Sequence, residues 1–259
     1  MTQAMKLTKN PDQQRISMSL MEHMFNQSTY TSLCLIEFGV LDHILLTCKR
    51  ANGCPETLRH ASLGLANLAL YSCHEGKKKI IQKKVPDWLF LLASQQDDLT
   101  RYYACLAICV LASTKHWDLE SAVTKSGTLT LVEPFLLSHQ ATVFAHEHFH
   151  HSQGRAKEWL FKLLPMLKSM RKEARSSAAF HFTMEATIKK DQNKLDLFEA
   201  FKNRFRFDYR IHDSTIPIEF MDTVTVGLSG AAKAQSALIE LGCERSKSET
   251  AKTVDMNII

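Results

Sequence analysis

The chain has 259 residues, of which 45% are hydrophobic and 23% are charged, and its formal net charge is +5 at pH 7. This balance is ordinary for a soluble globular protein, and the charge is too small for the concentrated basic surface of a nucleic-acid-binding domain. Nine glycines and six prolines are few for this length, which favours helices over a turn-rich β architecture.

The N-terminal part predicts a flexible segment at residues 1–14, followed by a series of helices. These helices are predicted at about 15–26, 30–37 and 40–49. A turn falls at Gly39, and Gly53 follows basic residues, as glycine does at many helix C-termini.

The middle of the chain repeats this arrangement. Pro55 suits the first turn of a helix, and acidic Asp97 suits the start of another because the N-terminal end of the helix dipole is positive. Gly39, Pro86 and Gly127 occupy equivalent joints between helices of successive repeats. The predicted helices here cover 59–70, 86–92, 97–112 and 128–137, with a lysine-rich stretch at 77–84.

One helical register recurs along the chain. The segment ASLGLANLA at 61–69 returns as ACLAICVLA at 104–112 and, more weakly, as AAFHFTMEA at 178–186. A weaker upstream copy has Met18, Leu20 and Met24 in the same phase. It places His23 where the later copies carry Leu68 and Leu111. A period of roughly 40–47 residues without strand signals is typical of armadillo and HEAT repeats, which stack because no repeat buries its apolar face alone. The predicted fold is therefore an all-α, armadillo/HEAT-type right-handed solenoid of about four repeats at 15–200.

Two regions depart from this rhythm. Residues 138–158 lengthen the interval between copies and predict a loop insertion rich in histidine, after which helices resume at 159–167 and 173–190. From 201 to 259 the sequence is divergent and predicts a partly disordered tail with one helix at 231–241.

Two stretches resemble one family closely: VPDWLFLLASQQDDLTRYYACLAICVLA at 85–112 and KSGTLTLVEPFL at 125–136. They are similar to the armadillo region of the sterile-alpha and TIR motif-containing NAD hydrolases, in the form found in an invertebrate member. The likeness covers about 10–200, so the chain looks truncated before the sterile-alpha and TIR domains of that family.

The resemblance implies a regulatory role without catalysis by this chain. In the family, the armadillo part holds the TIR domains apart and senses nicotinamide mononucleotide against NAD, in axon degeneration and innate-immune signalling. The implied partners are the TIR and sterile-alpha motif domains and a small nucleotide, with no nucleic acid. Homo-oligomers would form only through domains that this chain lacks. No cofactor is expected beyond NAD or the mononucleotide as an allosteric ligand.

The resemblance also implies ligand-binding residues. The family motif His-Met-Phe-Lys reads His23-Met24-Phe25-Asn26 here, so the histidine matches while Asn26 brings no charge to a phosphate. The segment Ser152-Gln153-Gly154-Arg155 matches the part that closes over the nucleotide, with Arg155 as a phosphate clamp. A core histidine at position 23 and a mobile surface loop at 152–155 are the alternatives.

Other polar residues point to no chemistry of their own. The histidines at 146, 148, 150 and 151 lack nearby cysteines, so we expect no metal site. Glu185 replaces the leucine of the register but has no catalytic partner, which predicts a hydrogen bond or a salt bridge to a lysine. The alternative function is a non-catalytic protein-binding scaffold, a signalling adaptor without nucleotide binding. A ladder of arginines or asparagines would favour peptide binding, and only Asn67 hints at one.

Localisation follows from what the sequence lacks. The N-terminus has no signal-peptide core, and no apolar run approaches the length of a membrane span. Seven cysteines without a CxxC pair favour a reducing compartment. We therefore expect a cytoplasmic protein.

Overall fold

A computed structural model describes residues 10–50, 54–114 and 117–192. Among these residues the regular structure is helical throughout, without strands. The predicted helix at 231–241, the rest of the 201–259 tail and residues 1–9 lie outside the described part. The helices are α1 Pro11–Phe25, α2 Thr29–Glu37, α3 Val40–Arg50, α4 Pro55–Tyr71, α5 His74–Gln82, α6 Val85–Ala93, α7 Asp98–Ala112, α8 Trp117–Lys125, α9 Val132–Ser138, α10 Ala141–Phe149, α11 Lys157–Leu163 and α12 Lys172–Asp191, with 3₁₀ turns at Thr128–Leu131 and Leu164–Lys168.

The chain divides into two compact units, Met1–Phe135 and Leu136–Ile259. The first unit holds helices α1 to α8, and the second holds α10 to α12. The limits 15–200 for a single solenoid remain a prediction.

In the first unit the long helices stack side by side. Helix α4 packs against α1 on one side and against α7 on the other. Because both flanks are covered, every residue of the two strong copies, 61–69 and 104–112, is buried. The third copy, 178–186 on α12 of the second unit, is also buried throughout. These are the positions at which the sequence predicts core residues.

Helix α1 begins earlier than the sequence predicts. The side chain of Asn10 accepts hydrogen bonds from the backbone N–H groups of Asp12 and Gln13, at 2.9 and 3.3 Å. Pro11 occupies the first turn, where its missing N–H costs nothing. Residues 11–14 of the predicted flexible segment are therefore helical.

The weak upstream copy of the register is wrong in detail. Leu20 is 47% exposed, and His23 is also exposed, although the residues assigned as their equivalents on α4 and α7 are buried. In the described part of the chain the long helix α4 covers one flank of α1, so only a narrow stripe is buried. That stripe consists of Met18, Met21, Glu22 and Phe25.

Three joints between short helices share a left-handed backbone. Gly39 has φ of 75°, Gly127 has φ of 72°, and between them Lys84 has φ of 55°. The joint of the middle repeat is therefore Lys84 rather than the predicted Pro86, which lies in the first turn of α6. The equivalence of the joints holds, but a lysine adopts the conformation that glycine adopts in the other two.

Ion pairs link successive repeats at their surface. Arg59 at the start of α4 donates to the carboxylate of Asp97, which caps α7, with the nearest N–O distance at 2.5 Å. Burial opposes ionisation of Asp97, but hydrogen bonds from Arg59 and Thr100 outweigh it and hold the pKa of this carboxyl below its ordinary value. In the lysine-rich stretch, Lys79 and Lys83 pair with acids of the preceding repeat, Glu37 at 2.8 Å and Asp42 at 2.9 Å.

The predicted loop insertion at 138–158 contains a helix. Residues Ala141–Phe149 form α10, which packs against α12 and buries Ala141, Phe144 and Ala145. The apolar residues of this segment, spaced for a helix, outweigh its histidines. The irregular parts are limited to residues 139–140 and 150–156.

Within the described residues, no single helix is long and apolar enough to cross a membrane. The bent pair Thr29–Glu37 and Val40–Lys49, at an angle of 69°, meets that length and composition only when the two are joined.

Candidate functional site

The segment 152–155 lies against the C-terminal half of α12 in the second unit. Two side chains of that helix, and the side chain of its C-cap residue Gln192, contact the backbone of the segment. Glu185 accepts a hydrogen bond from the N–H of Arg155 at 2.8 Å. Lys189 donates to the carbonyl of Gln153, and Gln192 donates to the carbonyl of Ser152. We call Glu185, Lys189 and Gln192 the α12 clasp.

Glu185 is a buried carboxylate, only 2% exposed. Burial raises the pKa of this carboxyl, although the hydrogen bond from the Arg155 N–H and the positive charges of Arg155 and Lys189 oppose the rise. Its second oxygen lies 3.6 Å from Nε2 of His181, one turn earlier on α12. The predicted hydrogen bond of Glu185 is confirmed, and its partner is the backbone of the 152–155 segment.

Gly154 makes this close packing possible. Its φ of 72° is left-handed, and a Cβ atom at this position would collide with the Glu185 carboxylate and lie 3.0 Å from Nζ of Lys189. The Gly154 N–H donates a hydrogen bond to Oγ of Ser152 at 3.0 Å. Glycine is therefore required here for both its conformation and its size.

The side chain of Arg155 lies over an aromatic ring. Its guanidinium carbon is 5.1 Å from the ring centre of Trp159, a cation–π arrangement. The ring of Trp159 in turn lies 4.9 Å from that of His181. Burial, followed by the positive charge of Arg155, lowers the pKa of His181 well below its ordinary value. Both effects disfavour the protonated form of His181.

In the first unit, His23 and Asn26 lie at the C-terminal end of α1. The Nδ1 atom of His23 is 2.7 Å from the carbonyl oxygen of Ser19, and Gln27 donates to the carbonyl of His23 at 2.9 Å. Gln27 also donates to Oδ1 of Asn26 at 3.1 Å. The ring of His23 is exposed, so the interpretation as a core histidine is wrong.

A buried polar cluster next to His23 was not predicted. The carboxylate of Glu22 lies 2.8 Å from Nδ1 of His60, and the Glu22 carbonyl accepts from the Asn67 side chain at 3.1 Å. Asn67 is fully buried, so its amide serves the packing of α1 on α4. It therefore gives no support to a peptide-binding ladder. The only sequence signal for this cluster is an acid within the apolar stripe of α1.

The predicted ligand-binding residues thus fall into two groups, one in each compact unit. Ser152, Gln153, Gly154 and Arg155 gather on α12, together with Lys189 and Gln192, which sequence reasoning missed. The signal for those two was their spacing from Glu185 by one and two turns on the same helical face. His23 and Asn26 belong to the other unit.

The two histidines of α10 make different contacts. His146 lies 3.4 Å from the carboxylate of Asp191, whereas the ring of His148 packs 4.4 Å from that of Phe144. Residues 10–50, 54–114 and 117–192 hold no group of three His, Cys, Asp or Glu side chains placed to bind a metal ion. The expectation of no metal site remains a prediction for the whole chain.

Searches against characterised proteins show clear relatives. The chain is 61% identical over 197 residues to NAD(+) hydrolase tir-1 of Caenorhabditis elegans, covering 76% of this chain and 20% of that protein. It is 46% identical to NAD(+) hydrolase sarm1 of Drosophila melanogaster, over 75% of this chain and 14% of that protein. It is 38% identical to NAD(+) hydrolase SARM1 of Danio rerio, over 75% of this chain and 28% of that protein. The chain thus spans under a third of the length of each relative. No protein-family model matches it.

Solved structures identify the fold. A designed armadillo repeat protein, YIII(Dq)4CqI, superposes with a TM-score of 0.52 over 90% of this chain and 99% of its own, at 15% identity. A second designed armadillo repeat protein, in complex with peptide (KR)4, gives a TM-score of 0.50 over 92% of this chain and 98% of its own, at 16% identity. The predicted all-α armadillo-type fold is confirmed.

Proposed function

We propose that this chain, which is homologous over about three quarters of its length to part of the NAD(+) hydrolases tir-1 and sarm1, is a regulatory armadillo segment of an NAD hydrolase. In this proposal it carries no catalytic activity of its own. It senses nicotinamide mononucleotide against NAD and restrains a TIR domain, with sterile-alpha motif domains as further partners. Its setting is the cytoplasm, in axon degeneration and innate-immune signalling.

The observation that carries the ligand-sensing part is the 152–155 segment. A glycine with left-handed φ, a neighbouring arginine over an aromatic ring and a fixed backbone path are suited to binding a small anion such as a phosphate group. A positive charge on Arg155 is assured at all relevant pH values, because guanidinium remains protonated in proteins. The exposed ring of His23 provides a second, separate contact that stacking or hydrogen bonding with a nucleotide could use.

Regulation requires more than binding. A ligand changes the restraint on a TIR domain only if it binds two states of this segment with different affinities. NAD and the mononucleotide can act in opposite directions if each of them binds a different state of this segment more tightly. Asn26 replaces the lysine of the family motif, so this chain offers one positive charge fewer to a phosphate.

Isothermal titration of the intact chain with nicotinamide mononucleotide and, separately, NAD tests the proposal. We expect micromolar binding of at least one ligand, weakened about tenfold or more by Arg155→Ala and by His23→Ala. The matched controls are Arg15→Ala and His74→Ala, an arginine 44% exposed at its side chain and an exposed histidine. Absence of heat with both ligands from a folded chain, or equal losses in the controls, would overturn ligand sensing.

An assay of NAD turnover tests the non-catalytic part. We expect the purified chain to leave NAD intact while it lowers the turnover of an added TIR-containing relative. Cleavage of NAD by the chain alone, once a contaminating enzyme has been excluded, would contradict a purely regulatory role and favour an enzyme.

A further inference from the structure

Apolar packing alone does not account for the polar face of α12. Glu185 occupies the register position at which the other long helices carry Leu68 and Leu111, and all three residues are buried. A leucine here would gain apolar burial, whereas a buried carboxylate loses hydration and requires partners. The partner found is the backbone N–H of Arg155.

The contacts of Lys189 and Gln192 extend the same arrangement. The spacing of one turn and then about one more places the three side chains of the clasp along one helical face. All three bind backbone atoms of the 152–155 segment. The clasp therefore fixes the path of the segment through backbone groups, and the absence of a side chain at Gly154 lets the carboxylate approach.

We propose that Glu185, Lys189 and Gln192 are positioning residues that hold the 152–155 segment against α12 and thereby set Arg155 for a phosphate group. The second half of this statement rests on the proposed function, since the phosphate is that of the nucleotide. The first half concerns the chain without ligand. Glu185 binds the backbone N–H of Arg155, and the guanidinium of Arg155 is the group that would bind the phosphate. Loss of the carboxylate therefore frees the backbone that carries this charge.

Hydrogen exchange of the intact chain, without nucleotide, tests the clasp. Glu185→Leu introduces the residue type found at the equivalent positions 68 and 111, so the helix itself should remain folded. Glu185→Gln keeps an acceptor for the Arg155 N–H. We expect Glu185→Leu and Lys189→Met to raise the exchange rate at 152–155 about tenfold or more, and Glu185→Gln much less. Lys190→Met, an exposed lysine on the same helix, should have no effect.

Two results would overturn the clasp: unchanged exchange at 152–155 in Glu185→Leu, or an equal rise along the whole of α12, which would mean a merely structural role. Titration with the mononucleotide then tests the positioning of Arg155, with an expected loss of about tenfold in affinity for Glu185→Leu and rescue by Glu185→Gln. A loosened segment with unchanged affinity would contradict positioning. If the wild-type chain binds no nucleotide, the proposed function fails and the positioning of Arg155 fails with it, while the exchange data still decide the clasp.

Discussion

Replacing Gly154 by alanine tests the packing of the 152–155 segment most sharply, because the chain offers a matched control. Gly154 and Gly127 share a φ of 72°, yet a Cβ atom at Gly127 would meet nothing within 4 Å. At Gly154 the same atom would collide with the Glu185 carboxylate. The two substitutions therefore carry the same backbone strain and differ in the collision.

The magnitudes follow from these two costs. Placing alanine in the left-handed region costs about 1–2 kcal/mol, and the reduced freedom of the unfolded chain offsets about 0.4–1 kcal/mol of it. Gly127→Ala should thus cost about 1 kcal/mol. Gly154→Ala should cost roughly 2 kcal/mol more, because the displaced carboxylate loses its bond to the Arg155 N–H while it remains buried. That difference is about thirtyfold in the local opening equilibrium.

Hydrogen exchange followed by mass spectrometry measures the opening of each segment separately, which matters in a chain with two compact units. We expect faster exchange at 152–155 in Gly154→Ala and a smaller, local change around residue 127 in Gly127→Ala. Equal costs in the two variants would refute the reasoning, because the carboxylate would then move aside freely.

Three further predictions concern stability and reactivity. Asp97→Ala should lower the free energy of unfolding by about 2 kcal/mol, about half from the lost cap of α7 and half from the lost, part-exposed ion pair. Arg59→Met should lose only the contribution of the ion pair. Equal losses of unfolding free energy for both variants in urea denaturation would contradict this division. Burial raises the pKa of the Cys48 and Cys105 thiols to about 12, so at pH 8 alkylation followed by mass spectrometry should modify them far more slowly than the partly exposed cysteines. Because burial lowers the pKa of His181, the unfolded chain binds a proton where the folded chain does not, so stability is present above the unfolded pKa of about 6.5 and is lost as the pH falls. His181→Gln should flatten the fall in thermal midpoint between pH 7 and pH 5.5, and an unchanged slope would place the acid sensitivity elsewhere.

The sequence predicted the repeats well because their signal is redundant. Each strong copy, 61–69 and 104–112, follows a helix-start signal, Pro55 or Asp97, and carries an apolar face that is buried on both flanks. The prediction of core residues in the weak upstream copy on α1 failed for the opposite reason. Helix α4 covers one flank of α1, so the residues on the other face of α1 need not be apolar. The repeat pattern therefore aligns Leu20 and His23 with buried residues, although both are exposed.

Local conformation and long-range polar contacts were harder to predict. Lys84 adopts a left-handed φ that is uncommon for lysine, so the sequence predicts the joint at Pro86 instead. The histidines at 146 and 148 obscured a helix whose apolar residues pack on α12. The clasp joins residues 30 or more positions apart, and a single sequence carries no signal of such pairs beyond an acid in a leucine register.

The measurement that tests the central claim most directly is a comparison of hydrogen exchange in the intact chain with and without saturating nicotinamide mononucleotide. We predict slower exchange at 152–155 and at residues 19–27 around His23, with smaller changes elsewhere. The Arg155→Ala variant should lose the protection at 152–155. Identical exchange with and without the nucleotide, or protection confined to other segments, would contradict the account.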